Sequence, residues 1–156
     1  MLYNLFKYNW QVRDEWIEWC SNLPEDELKK TRIGGMKSIL YNLYHVIDCE
    51  QIWINQLQGT PVIQNNMKAI TSLDQVKEFS DSTKKMSEIF IEKYEKNNEE
   101  KLFSYTFRNG EEKQWTYEKV LYHIITHEIH HIGQLSVWAR EIGMKPVSSD
   151  LIFKDI

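Results

Sequence analysis

Apolar residues recur along this chain at steps of three and four with polar residues between them, the pattern of amphipathic helices. In the stretch from Thr116 to Gly143, Val120, Ile124, His127, His131, Leu135, Trp138 and Ile142 fall on one stripe of one helix. From Leu2 to about Asn22, Leu5, Val12, Trp16, Trp19 and Leu23 mark one stripe, and Phe6, Trp10, Ile17 and Cys20 mark a second beside it. So broad a face predicts a first helix packed on more than one neighbour. A second long helix is predicted from about Met36 to Gln58, after Gly34 and Gly35 and ending at Gly59. Ile39, Leu40, Leu43, Ile47, Ile52 and Leu57 give its apolar period, with His45 on the flank. A third runs from Leu73 to about Lys96, opened by the Ser72 and Gln75 capping pair and ended by the NNEEK run at 97–101. Its inward positions read as Val76, Phe79, Met86, Ile89, Phe90 and Tyr94.

Between these lie weaker elements. Pro24 suits the first turn of a brief helical segment beginning near Ser21 or Asn22, and residues 60–70 show no regular period. Phe103 to Phe107 alternates, Asn109-Gly110 is a strong turn, and Glu111 to Trp115 returns, which predicts a short hairpin or extended loop. Two strands are not stable alone, so this piece should lean on the bundle as a lip over whatever site it carries. Thr116 caps the last helix, Gly143 stops it, and residues 144–156 read as an extended tail. The sum is an all-α fold, a four-helix bundle with a short β-hairpin or extended loop before the last helix, as a single domain over residues 1–156.

Composition narrows the function. A net charge of −4 without a basic cluster argues against a nucleic-acid surface. Apolar runs are broken every few residues, far short of the roughly 20 residues of a membrane span. The first residues lack the basic start, apolar centre and small-residue cleavage site of a signal peptide, so a cytoplasmic location is expected. Cys20 and Cys49 then read as free thiols in buried structural roles, not as a disulfide.

The candidate chemistry lies in the histidines, four of whose five members sit in the last helix. His127 and His131 are four residues apart and stack on one face, where both can reach a single ion. His123 lies a turn back on the same side, and His130 is rotated roughly 100° away. If His45 packs against this face, three imidazoles meet in a pocket. A core gains little from polar rings where Leu or Ile would fill the space, so the pattern predicts a divalent metal site at His45, His127 and His131 with at least one open position. His123 is then a candidate for orienting a ligand or carrying a proton. Arg13 and Asp48 read as solvated, although either could turn to the pocket. The run His127-Glu128-Ile129-His130-His131 also fits the H-E-x-x-H pattern of zinc proteases. Such enzymes take a third ligand downstream, where no histidine remains, so Glu128 reads instead as a surface or supporting residue.

The elements YNWQVRDEW, LYHVIDCEQIWI and HIITHEIHHIGQL, followed by REIG, Pro146 and Asp150, together resemble the DinB family over nearly the whole chain. The resemblance implies a divalent metal, zinc or nickel, held by His45, His127 and His131. It implies a small-molecule substrate and a homodimer. Relatives include S-transferases that use a low-molecular-weight thiol, so a metal-dependent thiol S-transferase is the expected activity. A non-catalytic metal-binding or stress-response module and a metal-dependent hydrolase remain the alternatives.

Overall fold

The computed structural model describes residues 2–97 and 100–156, so Met1 and, within the run read as the end of the third long helix, residues 98 and 99 lie outside the described residues. In chain order they form α1 (Leu2–Cys20), α2 (Glu25–Lys29), α3 (Ile39–Gln58), α4 (Leu73–Asn97), β1 (Leu102–Thr106), β2 (Glu112–Thr116) and α5 (Tyr117–Glu141). The helix ends follow local chemistry. Ser38 accepts a hydrogen bond from the Tyr41 amide, so α3 starts at Ile39 and not at Met36. Gly35 and Lys37 hold positive φ just before it, which a helix cannot include. Ser72 and Gln75 bond each other's backbone amides, and Thr116 accepts from the Lys119 amide. The short helix α2 begins at Glu25, later than Ser21 or Asn22, because the residue before a proline is pushed out of the helical region.

Asn9 meets Ile125 and Arg13 meets Glu128, so α1 and α5 run the same way. Asn42 meets His131 and Leu57 meets Tyr117, which makes α3 antiparallel to α5. Tyr3 bonds Glu88 and Asp14 pairs with Lys84, so α4 is antiparallel to α1. The bundle is therefore up, down, down, up, with α1 and α3 each packed between α4 and α5. Parallel neighbours need a connection that travels back along the bundle, and residues 59–72 supply it. The buried Gln51 side chain fixes this crossover by bonding both the amide and the carbonyl of Ile63. The tail runs along α1, where Tyr8 and Trp19 donate to the carbonyls of Ser149 and Lys145. It contains a 3-10 turn at Leu151–Phe153 that the extended reading lacked.

Two apolar clusters fill the interior. One centres on Trp16, Leu43, Ile47 and Leu135, the other on Phe6, Trp10, Ile54 and Leu121. Between them lies a polar layer of Arg13, Glu50 and Glu128, all at most 1% exposed. The solvated reading of Arg13 is thus wrong. Its Nε and Nη2 donate to Glu128 at 2.8 and 2.6 Å, and Nη2 also reaches Glu50 at 2.5 Å, while Trp10 Nε1 donates to both Glu50 oxygens. Buried carboxylates on α3 and α5 demand a cation, and α1 provides it. The inward reading of Ile89 also fails, since it is 69% exposed. The buried stripe of α4 is Val76, Ser80, Thr83, Ser87 and Ile91.

The hairpin is real and pairs Phe103 with Trp115 and Tyr105 with Lys113. It leans on α3, where Trp53 meets Phe103, Tyr105 and Trp115 with ring centroids 6.1 to 6.4 Å apart.

Candidate metal centre

Because α3 and α5 are antiparallel and adjacent, His45 faces the turn of α5 that carries His127 and His131. The three ring centroids lie 4.6 to 4.9 Å apart, and one nitrogen from each ring lies within 4.8 Å of the others. His45 Nε2 is 3.2 Å from His127 Nε2. Two nitrogens each about 2.0–2.1 Å from a tetrahedral zinc stand about 3.3 Å apart, so this spacing fits convergence on one ion. His127 Nδ1 is buried without a hydrogen-bond partner among the described residues.

The tautomer of His131 is set by its surroundings. Its Nδ1 lies 2.8 Å from Gln134 Oε1 and 3.2 Å from Asn42 Oδ1, both acceptors, so the proton sits on Nδ1 and the lone pair on Nε2. Asn42 is itself oriented, because its Nδ2 donates to the His131 carbonyl and its Oδ1 accepts from the Met36 amide. Gly35 closes over this pair. A Cβ there would lie 2.6 Å from Gln134 Oε1 and 2.7 Å from Asn42 Oδ1. Sequence reasoning missed Asn42 and Gly35 as supports, and the one available signal was Gln134, three residues after His131 on the same face.

A family model described as the DinB family matches residues 1–155. The chain belongs to the DinB family. It is also similar to an uncharacterized protein, YizA, from Bacillus subtilis (strain 168). The two are 42% identical over 147 residues, which cover 94% of this chain and 91% of the relative. The DinB signature in this chain therefore rests on a bundle whose α3 and α5 bring the three histidines together. No described helix is long and apolar enough to cross a membrane.

The other residues of this DinB site divide by where they face. His123 lies 5.7 Å from His127 by ring centroid and meets the edge of Trp53 at 5.8 Å, so it stands beside the triad and outside it. His130 is exposed and touches Gln134, as its rotation implied. Glu128 is no surface residue. It is 1% exposed and held by Arg13, so the glutamate of the H-E-x-x-H pattern points into the core, unable to serve as a general base beside the histidines. Burial pushes its carboxyl up against the pull of Arg13. Asp48 is half-buried and accepts from Gln51, with no bond to an imidazole. Cys49 faces the cavity with its thiol pushed up to about 12 by burial, and among the described residues both cysteines are free.

Burial, reinforced by the neighbouring rings, lowers His45 and His131 and takes His127 from its ordinary 6.5 to about 4. Folded rings therefore stay neutral, and able to ligate, at pH values where free imidazoles protonate. An unfolded chain takes up a proton on His127 near 6.5 while the folded chain does so only near 4, so this contribution to folding stability is full above 6.5 and declines as pH falls towards about 4. In chelator-treated protein the urea midpoint should drop between pH 7 and pH 5, and the drop should be smaller for His127→Gln.

A cavity of about 580 Å3 opens beside the triad, with His45 at one end and His123 along its wall. Its floor is the groove between α3 and α5, and Tyr105, Phe107 and Trp115 of the hairpin region cover it, the lip that the alternating stretch predicted.

Proposed function

We propose that this DinB-family protein binds a divalent ion, zinc or nickel, through His45, His127 and His131, and uses it as a metal-dependent thiol S-transferase. The observation that carries this is the convergence of three imidazole nitrogens, from two antiparallel helices, at the end of a cavity large enough for a small molecule. Three histidines leave a coordination position open, unlike the four-ligand sets of structural zinc sites. When bound, such an ion acts as a Lewis acid and makes a thiol or water proton easier to lose near neutral pH. The chain's own groups prepare for this. Asn42 and Gln134 hold His131 in the ligating tautomer, and burial lowers the proton affinity of all three rings. His123, beside the triad and lining the cavity, would accept the proton that the nucleophile loses. The nucleophile comes from outside the chain, because Cys49 remains a neutral thiol.

The test is to load the protein with zinc or nickel and follow consumption of glutathione by an alkyl halide against metal-free and His127→Ala controls. Metal-dependent conjugation above the background rate is expected. Hydrolysis of a nitrophenyl ester with no thiol consumption would move the assignment to a hydrolase. A tightly bound metal with neither activity would favour the non-catalytic module.

A further inference from the structure

The cavity beside the triad is polarised along its length. Because α3 and α5 are antiparallel, its lining residues pair in order, from His45 near His127, to Trp53 against His123, to Gln56 and Lys119 at the far end. Lys119 lies two turns before His127, roughly 12 Å along the helix axis. Asp48 is the acidic side chain near His45, and Lys119 is the cationic one at the opposite end, where its ammonium makes no ion pair among the described residues. Between these ends the walls are rings. Trp53 meets its neighbours edge-on or tilted, and Tyr105, Phe107 and Trp115 complete the aromatic cover. Such a slot favours a flat apolar body, since ring edges and faces add to area burial when they meet another aromatic system.

We propose that this cavity binds an elongated planar aromatic anion, its acidic group at Lys119 and Gln56, its aromatic body beneath the hairpin beside Trp53, and its other end presented to the histidine triad. That this molecule is the electrophilic substrate rests on the transferase assignment above; that it binds does not. The acidic group belongs at Lys119 because Asp48 repels an anion at the other end. A ligand in this pose spans the distance from the free ammonium to His45 and leaves the open side of the triad for a thiol.

The test uses biphenyl-4-carboxylate, its uncharged carboxamide, and the saturated bicyclohexyl-4-carboxylate, titrated by calorimetry into wild type, Lys119→Met, Phe107→Ala and His127→Ala. The carboxylate should bind wild type with a single site, the amide roughly fivefold more weakly as expected of an exposed charge pair, and the saturated acid roughly three- to tenfold more weakly for loss of ring contacts. Lys119→Met should remove the preference for carboxylate over amide while keeping its stem, and Phe107→Ala, at the exposed end of the hairpin, should weaken both aromatic probes. Equal affinity of acid and amide, equal affinity of the flat and saturated acids, or no saturable binding would overturn the proposal. His127→Ala separates the two assignments. If it loses metal yet binds the probe as wild type does, both stand; if wild type binds the probe but takes no metal, only the transferase reading falls.

Discussion

Arg13→Ala is expected to destabilise the folded protein by about 3–5 kcal/mol, a large part of the roughly 5–15 kcal/mol that holds a domain of this size together. The guanidinium is wholly buried, and its Nε and Nη2 carry bonds to Glu128 and Glu50, which approach it from α5 and α3. Removing it leaves two carboxylates in a layer walled by apolar clusters on both sides, with Trp10 and Asn9 as the remaining donors. The lysine variant should recover little, because one ammonium cannot reproduce the planar fork that serves both carboxylates. By contrast, Arg13→Met combined with Glu50→Gln and Glu128→Gln should recover most of the loss, since the penalty comes from uncompensated charge. Urea unfolding monitored by circular dichroism reads these differences. A cost below about 1 kcal/mol for Arg13→Ala would mean that the layer is hydrated in solution and that the network is not a buried one.

A single methyl group at Gly35 should have the second large effect, far from where a ligand-based view of the site would look. Its φ of +47° already disfavours any side chain, and the added Cβ would press on Gln134 Oε1, Asn42 Oδ1 and the ring of Trp138. Those two oxygens hold the Nδ1 proton of His131, so displacing them frees the ring to rotate and to change tautomer. Gly35→Ala is therefore predicted to lower affinity for zinc or nickel roughly 10- to 100-fold, along with a stability loss of about 1–3 kcal/mol from overpacking and backbone strain. Gly34→Ala is the control, because it shares a positive φ but meets nothing within 4 Å. Competition titration with a chelating dye separates the two, and equal metal affinity in both variants would show that Asn42 and Gln134 do not position His131.

Large apolar side chains at helical spacing carried most of the fold. Along the stripe from Val120 to Trp138 the residues Val120, Ile124, His131, Leu135 and Trp138 are buried and His127 is half-buried, and the alternating Phe103, Ser104 and Tyr105 pair as a strand. The inner face of α4 is hidden in the sequence because Ser80, Thr83 and Ser87 contribute no hydrophobic signal, whereas the exposed Ile89 does. The triad was legible because two of its members share a face four residues apart and His45 lies in the helix that packs there. Arg13 and Glu128 are 115 residues apart, and their pairing depends on α1 and α5 running side by side, which no local pattern encodes. Their one sequence trace is that charged residues interrupt otherwise apolar faces at Arg13, Glu50 and Glu128, a trace easily taken for solvent exposure. In the sequence Gly35 marks only the entry to α3, and it takes the positions of Asn42 and Gln134 to reveal why a side chain there would reach the histidines.

The measurement closest to the central claim is metal analysis of protein purified without an affinity tag or added metal, run beside a His127→Ala, His131→Ala double variant. The wild type should carry a single divalent ion per chain, and the variant should carry none while keeping the helical circular dichroism of the bundle. A wild type that is metal-free and refuses added zinc and nickel, yet folds normally, would contradict the account and leave the three histidines as core packing.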